Sequence, residues 1–195
     1  WKGRFYPDSL NPSQWLTYFS SKFTTVEINV SFYHLPTIQS LYKWKESSPN
    51  RFIFSVKASR YITHMKKLSD PSDPVKRFVE RAEVLGEKLG PILFQLPPRW
   101  HRNTDRLSAF LKTLPPNHRY VFELRDPTWF EQSVIDLLMD QNIALCVYDL
   151  NGVVSPIYST ADFVYIRLHG YGDKYDGNYP RSILSKWLER IERWL

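Results

Sequence analysis

The 195 residues include 26 lysines and arginines and 20 aspartates and glutamates, which gives a formal net charge of +6. A chain of this length can bury one sizeable core, and it contains no apolar stretch near the ~20 residues that a membrane-spanning helix needs. Cys146 is the only cysteine, which excludes a disulfide framework and a cysteine-based metal cluster and predicts a reducing, cytoplasmic location. The positive charge fits solubility as well as attraction to polyanions.

Helical and strand-like stretches alternate along the chain. Two helices begin where proline follows a capping residue, at Asn11-Pro12 and at Asp73-Pro74, because proline suits the first turn of a helix. In chain order the pattern predicts a helix from residue 12, a strand at 25–29, a helix at 37–46, a strand at 52–57, a helix from residue 74, a strand at 92–96, a helix at 104–113, a strand at 120–125, a helix at 130–140, strands at 143–149 and 163–169, and a helix at 181–194. This order indicates a parallel α/β architecture.

The two faces of the predicted strands differ, and this difference favours a barrel over an open sheet. In the strand at 120–125, for example, one face is apolar while Glu123 and Arg125 share the other. An open sheet covered by helices is apolar on both faces of most strands. The predicted strands have one apolar face and a second face that becomes polar toward the carboxyl end. This pattern favours a (β/α)8 TIM-type barrel whose interior opens into a site. The inner face of the strand at 143–149 stays undecided.

Charged and amide side chains fall at or near the carboxyl ends of the predicted strands, where barrels bind their ligands. They are Glu27, Asn29, Lys57, Gln95, Glu123, Arg125, Arg167 and His169. Asp149, in the strand whose inner face stays undecided, is a further candidate ligand-binding residue. One interpretation is a structural network of internal salt bridges, with the pairs Glu27–Lys57 and Glu123–Arg167. The other is a ligand site. Because three of these side chains are lysine or arginine and two are glutamate, the surplus predicts an anionic ligand such as a phosphate or carboxylate.

Five segments carry a resemblance to a known family. In chain order they are residues 25–33 (TVEINVSFY), 56–68 (VKASRYITHMKKL), 89–98 (LGPILFQLPP), 123–130 (ELRDPTWF) and 165–170 (YIRLHG). Together with YDGNY at 175–179, they make essentially the whole chain similar to the YecE-like family of unknown function. The resemblance implies a distorted TIM-type barrel in a cytosolic, mostly prokaryotic protein, and it implies no established reaction.

The ends of the chain depart from that resemblance. Similar proteins begin with a short strand of Gly-Thr-Ser-Gly-Trp type and end with a strand of Tyr-Phe-Asn-Asn type, and neither occurs here. We therefore expect residues 1–195 to form a single α/β barrel domain that lacks its first and last strands. Since those strands are neighbours in a closed barrel, their absence would leave exposed edges.

The candidate catalytic residues are His169, Glu27 and Glu123. His169 shares a strand face with Arg167, and a histidine exchanges protons near neutral pH, so it could act as a general acid or base. A structural role is the alternative. The two glutamates could be paired carboxylates for proton transfer. Together with Asp149 and His169 they could instead hold magnesium or manganese, although the nearby cations disfavour a metal, and no cofactor is identified.

A basic loop follows the second predicted strand. It contains Arg60, His64, Lys66 and Lys67. Arg60 and His64 are candidate ligand-binding residues, and for His64 the alternative is a solvated loop histidine. With neighbouring aromatic side chains, the basic residues of this loop could bind nucleic acid or another phosphodiester.

The loop at 171–179 (YGDKYDGNY) follows the last predicted strand. Tyr175 and Asn178 are its candidate ligand-binding residues. Its position suits a lid or a stacking platform over a pocket. An ordinary turn packed by its own tyrosines is the alternative.

Two functions remain open from the sequence alone. The first is an enzyme acting on a phosphorylated or carboxylated substrate, with His169 and a glutamate as acid and base and with Arg167 and Lys57 holding the anion. The second is a nucleic-acid-binding protein or a metal-dependent phosphodiesterase-like barrel. An anionic small molecule is the favoured partner over nucleic acid, and no membrane partner is expected. The sequence does not predict the oligomeric state.

Overall fold

The structure, a computed structural model, describes residues 1–172 and 177–194, which form a mixed α/β fold. Its strands are β1 (Thr25–Ile28), β2 (Ile53–Lys57), β3 (Leu89–Gln95), β4 (Tyr120–Glu123), β5 (Ala144–Leu150), β6 (Val153–Val154) and β7 (Tyr165–Leu168). Its α-helices are α1 (Trp15–Ser20), α2 (Val30–Tyr33), α3 (Ile38–Glu46), α4 (Ser72–Ala82), α5 (Thr104–Leu111), α6 (Gln132–Asp140) and α7 (Arg181–Glu192). Short 3-10 helices lie at Pro12–Gln14, Glu83–Lys88 and Pro127–Trp129, and a π-helix lies at Tyr61–Met65.

The predicted alternation of strands and helices is present, with shifts at the ends of elements. Helix α3 begins as expected because the Thr37 side chain accepts a hydrogen bond from Ser40 N across 3.1 Å, which caps the first turn. The helix predicted from Asp73-Pro74 begins earlier, at Ser72, with Pro71 as its N-cap. Pro74 fits inside this first turn because the N–H that proline lacks has no helical partner there.

The first compact unit consists of Trp1–Phe94 and Asp105–Arg119. Its sheet is parallel, with β1 paired to β2 and β2 paired to β3. Both faces of β2 are buried, so that even Ser55 and Lys57 are largely removed from solvent. Ser55 Oγ donates a hydrogen bond of 2.9 Å to the Pro91 carbonyl oxygen. Polar groups in this strand are therefore held by specific contacts, as burial requires.

The second compact unit consists of Gln95–Thr104 and Tyr120–Leu195. Strand β5 is central to it, since it pairs in parallel with both β4 and β7 and antiparallel with the short β6. Trp129 is fully buried, and its indole N–H donates a hydrogen bond of 2.6 Å to the Trp100 carbonyl oxygen. The expectation of one barrel domain over the whole chain stays a prediction.

In residues 1–172 and 177–194, no helix has the length and apolar character that crossing a bilayer requires.

Candidate functional site

Glu123, the last residue of β4, is a fully buried carboxylate held by two arginines in the second unit. Arg125 Nε donates a hydrogen bond to Oε1, and Arg167 Nη1 donates to Oε2 across 2.5 Å. Glu123 and Arg125 are two positions apart, so strand geometry directs them to the same side. Arg167 comes from β7, which shares the neighbour β5 with β4. With His169, these residues are called the Glu123 cluster below.

Two arginines keep the buried Glu123 carboxyl ionised. Burial by itself raises the pKa of the Glu123 carboxyl, but the charges of Arg167 and Arg125 and their hydrogen bonds outweigh it and leave the pKa lowered. Glu123 is thus ionised at neutral pH, and arginine is protonated throughout. Only 7% of the Arg125 side chain and 14% of the Arg167 side chain are exposed. One buried carboxylate therefore faces two largely buried guanidinium groups.

His169 follows β7, and its buried side chain lies beside Arg125. Arg125 Nη2 is 2.8 Å from His169 Nε2. Because a guanidinium can only donate, a hydrogen bond here requires Nε2 to accept, which assigns the ring proton to Nδ1. Nε2 can take up another proton only when Arg125 no longer occupies its lone pair. Arg125 thus controls whether His169 can act as a base through Nε2.

Cys146 and Tyr148 of β5 lie against the cluster, and the sequence pattern assigns neither to a site. The Tyr148 ring centroid lies 4.6 Å from the Arg125 guanidinium carbon, and its hydroxyl donates to the Leu124 carbonyl oxygen across 3.1 Å. Burial raises the pKa of Tyr148. Cys146 Sγ lies 3.9 Å from Glu123 Oε2. The sequence signal that bears on Cys146 and Tyr148 was the alternation along β5. That alternation did not decide which face of the strand is the inner one.

Asp149 lies on the opposite face of β5 from Tyr148 by strand alternation. Its side chain is buried, and Oδ1 has no hydrogen-bond partner among residues 1–172 and 177–194. The same holds for the Tyr179 hydroxyl oxygen. Burial and the Asp149 charge raise the pKa of Tyr179, while the amides of Gly170 and His169 lower it without forming a well-aligned hydrogen bond. Asp149 is therefore a buried carboxylate associated with Tyr179.

Two of the predicted residues, Lys57 and His64, contact the Phe32 ring in the first unit. Lys57 Nζ lies 4.3 Å from the Phe32 ring centroid, and the His64 ring meets the same ring edge-on at 5.0 Å. His64 Nδ1 also shares a hydrogen bond of 2.9 Å with Thr63 Oγ1. Burial lowers the pKa of His64, and the charges of Lys57 and Arg60 lower it further. These contacts favour neutral imidazole at position 64.

The other predicted residues are placed as follows. Glu27 is half-buried on β1, and Asn29 is exposed just after it. Gln95 is half-buried at the end of β3, and Asn178 is exposed. Tyr175 lies outside the described residues.

Within the described ranges, no group of three or more histidine, cysteine, aspartate or glutamate side chains is arranged to hold a metal ion. Of the carboxylates considered for magnesium or manganese, Glu123 is bound by arginines on both oxygens.

These features define a class: a mixed α/β protein with parallel strands and a buried arginine–glutamate cluster at strand ends. The chain belongs to the family described as "Protein of unknown function DUF72", whose model matches residues 1–195. This confirms the resemblance to YecE-like proteins, and the description of the family names no reaction.

Two curated proteins illustrate the relationship. The UPF0759 protein YecE of Escherichia coli is 25% identical over 202 residues, which cover 90% of this chain and 73% of that protein. The UPF0759 protein YunF of Bacillus subtilis is 28% identical over 134 residues, covering 64% of this chain and 47% of that protein.

Solved structures of the same family are similar to this fold. A DUF72 family protein from Thermotoga maritima is 26% identical and matches with a TM-score of 0.86 over 100% of this chain and 84% of its own. A DUF72 family protein from Enterococcus faecalis is 18% identical and matches with a TM-score of 0.73 over 93% of this chain and 82% of its own. The second comparison concerns the fold alone.

Proposed function

We propose that this protein binds a small anion, a phosphate or carboxylate compound, at the Glu123 cluster. The observation that carries the proposal is the pair of largely buried guanidinium groups, Arg125 and Arg167, around the single carboxylate of Glu123. A bound anion would add charge-assisted hydrogen bonds to these guanidinium groups, which are largely removed from solvent. Guanidinium groups also suit phosphates and carboxylates because they can donate two parallel hydrogen bonds.

The proposal extends to an enzymatic role for His169. An anion that draws Arg125 toward itself would release His169 Nε2, which now accepts from Arg125 across 2.8 Å. The imidazole would then be available as a base next to the bound substrate. Binding and proton transfer would be coupled through one arginine, so that His169 becomes basic only when substrate is present.

We also propose that the complete fold is a (β/α)8-type barrel located in the cytoplasm. Parallel strands that alternate with helices support the barrel, as does the position of the cluster at strand carboxyl ends, where such barrels bind ligands. The lone, buried Cys146 supports a reducing compartment.

Calorimetry and thermal unfolding with inorganic phosphate, sugar phosphates, dicarboxylates and short oligonucleotides test the anion proposal. A ligand at about 100 times its dissociation constant stabilises the folded state by about 2.7 kcal/mol. We expect wild-type protein to be stabilised by a small anion. Arg167→Gln and the charge-conserving Arg167→Lys should weaken that anion about tenfold or more, since they remove the fork of donors.

Arg102→Gln is the matched control, because Arg102 Nη1 also pairs with a carboxylate of the second unit, Glu131 Oε2, at 2.5 Å. It should leave anion affinity unchanged. An absence of any small-anion binding at millimolar concentration would overturn the proposal. Binding by oligonucleotides alone, with an affinity that falls steeply as salt rises, would support the nucleic-acid alternative.

A further inference from the structure

A cavity of about 710 Å³ lies in the first unit. Its lining residues fall between positions 35 and 78 and include no residue of the Glu123 cluster. Its apolar lining includes Ile62 and Phe78, both buried, and the partly exposed Leu35. Tyr61, of which 44% is exposed, also contributes. A volume of this size lies in the range of small-molecule sites, which typically combine apolar walls with a few polar groups.

The backbone along one side of the cavity is unusual. The π-helix Tyr61–Met65 carries its fifth-neighbour bond from Lys66 N to Tyr61 O at 2.8 Å. Lys67 and Leu68 follow with positive φ angles of 47° and 64°, a conformation that a leucine rarely adopts. A bond of 3.0 Å from Leu68 N to Ile62 O holds this turn. Such segments persist only where the surroundings enforce them, and they are frequent at binding sites.

The charged lining is balanced. Lys66 Nζ pairs with Asp70 Oδ2 at 3.4 Å. Asp73 and Arg77 lie one turn apart on α4, and in the part of the chain that the structure describes neither side chain makes a hydrogen bond or an ion pair. The four formal charges sum to zero, so this cavity has no surplus that would favour a polyanion. It offers one unpaired carboxylate and one unpaired guanidinium beside an apolar floor.

We propose that this cavity binds a small zwitterion with an apolar side chain, that is, a free amino acid or a short peptide. The ligand carboxylate would meet Arg77, its ammonium group would meet Asp73, and its side chain would cover Ile62 and Phe78. Each charged end would then form a charge-assisted contact, while the apolar part would leave water. This site is independent of the anion site proposed above.

Isothermal titration of the intact chain with phenylalanine and with the dipeptide phenylalanyl-leucine tests the proposal. Wild-type protein should bind at least one of them, and N-acetyl-phenylalanyl-leucine amide, which lacks both charges, should bind about tenfold or more weakly. Arg77→Gln and Asp73→Asn should each cause a similar loss. Both positions are exposed, so both variants should fold.

Lys76→Gln is the matched control, because Lys76 lies on the same helix but does not line the cavity and pairs instead with Glu80 at 4.0 Å. Its affinity should equal that of wild type. No binding of either zwitterion up to about 10 mM would overturn the proposal. So would equal binding of the blocked peptide, unchanged affinity in Arg77→Gln, or binding of nucleotides in place of zwitterions. Arg77→Gln should leave any binding of inorganic phosphate at the Glu123 cluster unchanged. Failure of the zwitterion proposal can therefore be distinguished from failure of the anion proposal.

Discussion

Arg125 Nη2 lies 2.8 Å from His169 Nε2, and a hydrogen bond from the guanidinium assigns the imidazole as its neutral Nδ1–H form. This contact joins one of the two guanidinium groups of the Glu123 cluster to a histidine, a side chain suited to proton transfer. It also separates two roles that the sequence could not separate, because a histidine held in this way is neither a cation nor an available base at Nε2.

We predict that His169 is present as the Nδ1–H tautomer at neutral pH. Nitrogen-15 NMR of the imidazole should show a protonated Nδ1 and an unprotonated Nε2 that stay distinct. The exposed His34 serves as an internal reference, because its side chain is in contact with solvent. Arg125→Met should remove the preference of His169. A doubly protonated imidazole in wild-type protein at neutral pH would contradict the assigned hydrogen bond.

Glu123 should make the protein sensitive to acid. The folded-state pKa of this carboxyl lies below its ordinary value of 4.5 because Arg167 and Arg125 outweigh burial. Its stabilising contribution is therefore present above about pH 4.5 and is lost as the pH falls through the folded-state pKa. Glu123→Gln should lower the free energy of unfolding at neutral pH by about 3–5 kcal/mol, because it leaves two guanidinium groups without their carboxylate.

Urea unfolding as a function of pH measures both effects of Glu123→Gln. The variant should lose stability less steeply below about pH 4.5 than wild type does. Glu80→Gln is the control, since Glu80 is exposed and its ion pair with Lys76 spans 4.0 Å; it should change stability by less than about 1 kcal/mol. Equal losses in the two variants would show that the Glu123 cluster contributes no more than a surface pair.

The sequence predicted the regular elements well where local signals coincide. Helix α3 is an example, since Thr37 caps it and its apolar residues follow helical spacing. The π-helix Tyr61–Met65 was missed, because bonds from each residue to its fifth neighbour leave no periodicity that a short segment can reveal. The positive φ of Leu68 was equally hidden, because packing imposes it against the preference of the residue.

The candidate site was predictable at the level of strand faces. Alternation placed Glu123 and Arg125 on one side, and the Glu123–Arg167 ion pair, one of two suggested from strand ends, is present. Side-chain pairing could not be read from spacing, so the bond between Arg125 and His169 was not foreseen. Tyr148 was missed because β5 is apolar on both faces over most of its length.

His64 should titrate at a pH set in part by Arg60. Burial, Lys57 and Arg60 all lower its pKa below 6.5. Because His64 binds a proton less readily in the folded state than in the unfolded state, the free energy of unfolding decreases as the pH falls from about 6.5 to the folded-state pKa of His64. Arg60→Gln should move the pKa of His64 upward, as proton NMR of the ring can measure. Lys66→Gln, a nearby charge that does not act on His64, should leave it in place; equal shifts would contradict the assignment.

We expect the Lys88 side chain to stabilise the contact between the 3-10 helix Glu83–Lys88 and the end of α3. Its side chain is buried, and Nζ donates to Lys45 O at 2.6 Å, to Ser48 O at 2.8 Å and to Ser48 Oγ at 3.2 Å. The Lys45 carbonyl lies in the last turn of α3 and the Ser48 carbonyl follows the helix, where helical partners are missing. Lys88→Met fills similar space but removes the ammonium donor from both carbonyls, of which that of Lys45 keeps only the Ser48 hydroxyl among the described residues, so it should lower the free energy of unfolding by about 3 kcal/mol.

Lys43→Met provides the comparison for Lys88→Met, because Lys43 lies on the exposed side of the same helix. Urea unfolding should show a change of less than about 0.5 kcal/mol for this variant. The contrast separates the three acceptors of Lys88 from any general effect of replacing a lysine by methionine. If both variants were as stable as wild type, water would have to hydrate the carbonyls at the end of α3 once the ammonium group is gone. The side chain of Lys88 would then contribute packing alone.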